Sequence, residues 1–186
     1  MSTGKGQSQG KSYRRSLKCL NKDKIVFYYY ESFLPLLGNK NGMFSKACEY
    51  GIRAMIYIAQ KSKDGERLGI KEISKGIDSP EPFMAKILQD LSRKGLVLSI
   101  KGPNGGFYMD RKTHKITLAD IVTAIDGNQL FIGCGLGLKA CNENKPCPIH
   151  DEFKAIRTRL QFMLDSTRID EFSESLEKGL VFLKRV

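Results

Sequence analysis

Three cysteines and a histidine fall within one seventeen-residue stretch, Cys134-Gly-Leu-Gly-Leu-Lys-Ala-Cys141-Asn-Glu-Asn-Lys-Pro-Cys147-Pro-Ile-His150. Six residues separate Cys134 from Cys141, five separate Cys141 from Cys147, and two lie between Cys147 and His150. Three thiolates and an imidazole make a full ligand set for a four-coordinate metal centre. Any fold of this chain therefore has to bring these four side chains together. Residues 133–148 are expected to form that loop.

Two kinds of centre compete on spacing. Structural zinc sites pair their ligands in close steps, and here only Cys147 and His150 are close. The wider gaps suit a larger object, an iron–sulfur cluster. The glycines between Cys134 and Cys141 would let backbone N–H groups approach bridging sulfides, and Lys139 and Lys145 offset thiolate charge. Five cysteines, three of them clustered, do not resemble an even, dispersed disulfide framework and point to a reducing compartment. Cys48 is expected to be a small packed residue, and Cys19 carries no signal.

Residues 1–42 differ in texture from the rest. The first eleven are rich in Gly, Ser, Gln and Lys, and read as disordered. Ile25 to Leu37 is apolar but interrupted by Glu31 and Pro35, and no small-residue cleavage pattern follows, so a signal peptide is set aside. The segment is expected to be a basic extension, disordered or not native, with Met43 as the working start. It holds eight Lys/Arg and two Asp/Glu, so +6 of the net +11 lies there and the other 144 residues carry 23 − 18 = +5. A polyanionic partner is implied, less strongly than the total suggests. No apolar run approaches the roughly 20 residues that span a bilayer; a cytoplasmic, nucleoid-associated protein with no membrane contact is expected.

From Met43 the pattern is helical. Phe44, Ala47, Gly51, Ala54, Met55 and Ile58 share a face, Ser45 can cap the helix, and it should end near Lys61. Lys63 to Gly65 reads as a turn. A short helix follows with Ile70, Ile73 and Ile77 inward. Ser79 is an N-cap candidate for a third helix, with Pro80 at its first position and Phe83, Met84, Ile87, Leu88 and Leu91 inward as far as Lys94; Gly95 ends it. Leu96–Ile100 and Phe107–Met109 read as strands around the turn 102–106. Thr117 to Asp120 is a capping-box variant opening a helix that ends at Asp126 and Gly127. Ile149, Phe153, Ile156, Leu160 and Met163 step at the 3.5-residue rhythm of a coiled-coil seam, which predicts a dimerisation helix. Ser166 or Thr167 should cap a last helix carrying Ile169, Phe172, Leu176 and Leu180.

The class is thus mainly α with a small β-hairpin wing: a winged helix-turn-helix over 43–132, the cysteine loop over 133–148, and a long dimerisation helix with a C-terminal helix over 149–186. If the third helix enters the major groove, Pro82, Ala85, Lys86 and Gln89 meet base edges, and Ser79 with the helix-start N–H groups grips a phosphate. Lys101 and Asn104 sit on the wing, and Lys46, Arg53, Lys71 and Lys75 are further phosphate candidates. No nucleophile–base pair, paired carboxylates or cofactor loop is found, which argues against an enzyme.

Phe44 to Ala59, Lys86 to Val97 and Lys101 to Phe107, followed by the cysteine triplet, together resemble the Rrf-two family of bacterial winged-helix transcription regulators. The resemblance covers about residues 43–167 and not the extension. It implies a homodimer on a palindromic double-stranded DNA operator, with an iron–sulfur cluster at the loop, 2Fe-2S in preference to 4Fe-4S. Cys134, Cys141 and Cys147 match the family's cluster cysteines. His150 matches the position of the fourth ligand in IscR-type members, whereas NsrR-type members take an acidic ligand from the partner's first helix, where Glu49 stands in this chain. His150 is favoured because it is available without the partner. Ala85 replaces an acidic discriminator on the recognition helix, and Lys101 replaces the wing's usual arginine. The expected function is a transcriptional repressor that senses iron–sulfur, redox or nitric-oxide status. The alternative is a zinc-binding or electron-carrier protein with no specific DNA role.

Overall fold

The computed structural model describes residues 43–62, 66–110 and 113–184. The N-terminal extension with Cys19, and the turn expected at Lys63–Gly65, lie outside the described residues. Helix α1 spans Lys46–Lys61 and is the centre of the packing. Ser45 caps it by accepting from the Cys48 N–H at 3.1 Å. Ser45 is itself held from a distant part of the chain: its N–H donates to one Asp126 carboxylate oxygen at 2.9 Å and its hydroxyl to the other at 2.5 Å. Ala54, Met55 and Ile58 on α1 are fully buried among residues from every neighbouring element.

Helix α2 (Ile70–Ile77) packs on α1, and the chain turns through Asp78 in the left-handed region (φ 52°). Helix α3 (Glu81–Arg93) then crosses both. Its start differs from the expectation for Ser79. Pro80 is the N-cap, with no side-chain cap bond, and the prolyl residue inside the first turn is Pro82. The Ser79 N–H is already committed to Ser74 O at 3.0 Å, closing the end of α2, so extended backbone begins one residue later. Proline is tolerated in the first turn because the N–H it lacks would have no helical acceptor there.

The wing is a two-stranded antiparallel hairpin, β1 (Leu98–Ile100) with β2 (Gly106–Tyr108), in the register Leu98 to Tyr108, Ser99 to Phe107 and Ile100 to Gly106. β1 is shorter than expected because the Leu96 N–H closes α3 on Leu91 O instead of joining a sheet. β2 ends before Met109, which turns into the core. Leu68 adds a one-residue third strand, exchanging two 2.9 Å backbone bonds with Phe107. Helix, turn, helix and wing make this a winged helix-turn-helix.

After a 3-10 turn at Thr113–Lys115, helix α4 (Leu118–Asp126) opens on the full capping box of Thr117 and Asp120. It lies so close to α1 that a Cβ on Gly51 would stand 2.3 Å from Ile125 Cδ1. A short helix α5 (Gln129–Ile132) follows, and then the cysteine loop. Helix α6 (His150–Ser166) packs Leu160 and the buried Leu164 on Ala119 and Val122 of α4. The end of α6 is pinned to the start of α4 by Leu118 N–H to Thr167 O at 3.0 Å and Ile169 N–H to Ile116 O at 3.1 Å. Ser166 and Thr167 do not cap a following helix: both hydroxyls turn back onto Met163 O. The expected C-terminal helix is instead a 3-10 turn (Ile169–Phe172) and the short α7 (Ser173–Glu177), after which Leu180 is exposed. Among the described residues no helix is long and apolar enough to cross a membrane.

Because Asp126 holds the cap of α1 from 81 residues away, Asp126→Ala should lower the unfolding free energy. A loss of about 1–2 kcal/mol is expected, read as a lower urea midpoint at unchanged slope. An unmoved midpoint would show that the bond contributes nothing.

Candidate metal centre and nucleic-acid face

The cysteine loop gathers its donors in two pairs. The sulfurs of Cys134 and Cys147 lie 3.8 Å apart. Cys141 Sγ lies 3.4 Å from His150 Nδ1. His150 is the first residue of α6 and is 6% exposed, while the three cysteines are half-buried. Its place follows from the local chain: the His150 N–H donates to Cys147 O at 2.9 Å, so the turn ending the loop also starts the helix. A tetrahedral metal with bonds of about 2.3 Å holds two ligand atoms about 3.8 Å apart. Both pairs are near that bite distance. Among the described residues no three His, Cys, Asp or Glu side chains converge as a set for one ion.

Three contacts seat the loop on α6. Gly135 lies flat against Phe153, where an added Cβ would come 2.8 Å from the ring. Arg157, one turn further along, donates to Gly133 O at 2.5 Å and places its two terminal nitrogens 3.7 and 3.8 Å from Cys141 Sγ. Lys154 pairs with Glu143 across the loop and holds that carboxyl below its usual range. The Cys134 thiol is held below its ordinary value, first by the backbone N–H groups of Leu136 and Leu138, then by Cys147 and the positive charge of Arg157. Cys48 is the opposite case: complete burial, reinforced by Asp126, pushes its thiol far up, so it stays neutral and packed. A cavity of about 550 Å³ opens beside the loop, lined by Cys134, Cys141, Ile132 and Leu138 among others.

Glu49 lies elsewhere. It is ion-paired with Lys46 at 2.5 Å and lines a second cavity with Arg53, Asp78 and the C-terminal residues 182–184. Arg53 is also occupied, donating to Ile77 O at 3.0 Å and Leu183 O at 3.3 Å beneath the Tyr50 ring. Lys46 and Arg53 are therefore engaged within the fold and are weaker phosphate candidates than their charge implied.

On α3, Pro82 and Gln89 are exposed while Ala85 and Lys86 are half-buried, so the four share the outer face of the helix-turn-helix. Ser79 does not: its hydroxyl is buried without a hydrogen-bond partner. Lys101 and Asn104 are exposed at the tip of the wing, and Lys71 and Lys75 line the outer side of α2. Two arginines were missed in the sequence. Arg67 reaches Asn104 O at 3.5 Å and lies over the Tyr108 ring, adding a cation to the wing. Arg157 is the second. Neither has a local signal, since their partners stand 37 and 24 residues away.

The family model for Rrf2, described as iron-dependent transcriptional regulators, matches residues 44–175. A chain of Aquifex aeolicus named as an HTH-type transcriptional regulator is 32% identical over 146 residues, covering 77% of this chain and 99% of its own. The transcriptional regulator IscR of Xenorhabdus nematophila is 25% identical over 128 residues, covering 69% and 77%. Among solved structures, CymR, the global cysteine regulator of B. subtilis, is similar with a TM-score of 0.59 at 24% identity, covering 70% of this chain and 95% of its own. The IscR of T. potens gives 0.57 at 20% identity, covering 74% and 90%. At those identities the structures speak for the fold.

Gly135→Ala should drive a methyl group into the Phe153 ring and lift the loop. Overpacking of this kind costs about 1–3 kcal/mol, and amide hydrogen exchange over residues 133–141 should accelerate. Unchanged exchange would show that the loop is not seated on Phe153.

Proposed function

The chain belongs to the Rrf2 family of transcriptional regulators, and from that premise we propose that it acts as a homodimer whose cysteine loop holds a 2Fe-2S cluster and sets its grip on a palindromic operator. It is a DNA-binding regulator rather than an enzyme. One observation carries the cluster reading: the four donors stand as two pairs, Cys134 with Cys147 and Cys141 with His150, each near the bite of one tetrahedral metal. Two pairs suit a two-iron centre better than the single ion of a zinc site. His150 is favoured as fourth ligand because its Nδ1 already faces Cys141, whereas Glu49 is paired with Lys46.

A bound cluster would supply a centre sensitive to oxidants, nitric oxide and iron supply. The rest follows from the chain's own residues. The loop rests on α6 through Phe153, Lys154 and Arg157, so a change in the loop bears directly on that helix. The outer side of α6 exposes Ile156 (63%), Phe162 (73%) and Met163, and the loop adds Leu136 and Leu138. A second copy is the natural cover for this apolar surface, with α6 crossing its twin. Two recognition helices must lie about 34 Å apart, or a multiple, to meet successive major grooves. A tilt of the α6 pair alters that spacing, which makes regulation a population shift between dimer geometries.

Anaerobic purification should give a coloured protein with about two irons and two sulfides per chain; a colourless protein holding only zinc would contradict the cluster. His150→Ala should labilise the cluster, and Glu49→Ala should leave it in place. The reverse result assigns the ligand to Glu49. On the DNA face, Lys86→Ala should weaken operator binding by about 1–3 kcal/mol and relax preference at one base pair. An unchanged preference would remove α3 as the reading helix.

A further inference from the structure

The three loop cysteines are not equivalent as thiols. Cys134 and Cys147 face each other at 3.8 Å. Cys141 is turned away, against His150 Nδ1 at 3.4 Å and the Arg157 guanidinium at 3.7 and 3.8 Å. All three are partly open to solvent, whereas Cys48 is fully buried.

We propose that Cys134 and Cys147 form a reactive dithiol which hydroperoxides convert to an intramolecular disulfide, and that Arg157 and His150 keep Cys141 out of it. The sulfurs need only close from 3.8 Å to the bond length of about 2.05 Å. Gly137, at φ 70°, gives the intervening chain a point at which to adjust. The carbonyl of Gly133, just before Cys134, is anchored by Arg157, and the Cys147 carbonyl accepts from the His150 N–H, so both cysteines are held at α6 with their sulfurs facing each other.

The chemistry balances with the peroxide alone. Cys134, deprotonated as its thiolate and facing Cys147 at 3.8 Å, attacks one oxygen of hydrogen peroxide. The O–O bond breaks, the departing hydroxide is protonated to water, and Cys134 becomes a sulfenic acid. The Cys147 sulfur then attacks the Cys134 sulfur. The S–O bond breaks, and the leaving hydroxide takes the Cys147 proton as a second water. Two thiols lose two electrons, and one hydroperoxide accepts them. The inference concerns the thiols only and holds whichever metal the loop takes, although a metal on the Cys134–Cys147 pair would shield it.

The test uses the full chain, freed of metal by chelation, reduced, desalted and treated with one equivalent of hydrogen peroxide. Free thiols are then alkylated and the digest is mapped by mass spectrometry. The Cys134–Cys147 cross-link should exceed any disulfide containing Cys141 by about tenfold, disappear with dithiothreitol, and leave Cys141 alkylated. Cys141→Ser should form the same cross-link at the same rate. Arg157→Ala should raise the share of Cys141 disulfides. A dominant disulfide through Cys141 or Cys19, or oxidation to sulfinic acid with no cross-link, would overturn the proposal.

Discussion

The cysteine loop keeps its shape only because a side chain outside it fixes where it begins and where its middle cysteine sits. Arg157 is that residue. Its planar fork reaches two acceptors at once, the Gly133 carbonyl and the Cys141 sulfur, and its charge also acts on Cys134. A lysine could serve only one of these as a point charge. The same guanidinium therefore fixes where the loop begins, keeps Cys141 beside His150, and ties both to the middle of α6.

From α6 the contacts run without a gap to the helix-turn-helix. Leu160 and Leu164 pack on α4, and the backbone bonds at Thr167 and Ile169 pin the two helices at one end. At its other end α4 presents Asp126, which holds the cap of α1, and α1 is the helix on which α2 and α3 pack. Contiguity alone does not transmit a signal; it needs an element with two arrangements. In the proposed mechanism that element is the exposed outer side of α6, where a second copy would cross.

Much of this was legible in the sequence where the determining interaction is local. The Ser45 cap, the Thr117–Asp120 capping box and the ends of α1 and α4 involve partners within four residues, and they stand where the pattern put them. Readings failed where the backbone of one element was used by another. Ser79 resembled an N-cap until its N–H was seen closing α2, and Ser166 and Thr167 resembled caps until their hydroxyls turned to Met163. The four donors could be named from spacing and family resemblance, but not their division into pairs. That division depends on Arg157, whose role arises only when the loop folds onto α6. Leu164, the buried contact of α6 with α4, also lay outside the seam pattern.

In the proposed mechanism the state of the loop sets the distance between two recognition helices. The most direct measurement places a spin label at Gln89, through a non-cysteine handle, and records dipolar distances between protomers in the iron–sulfide-loaded and metal-free protein. A dimer is expected in both states, with two distinct distance distributions. Identical distributions, or no dipolar coupling at all, would contradict it.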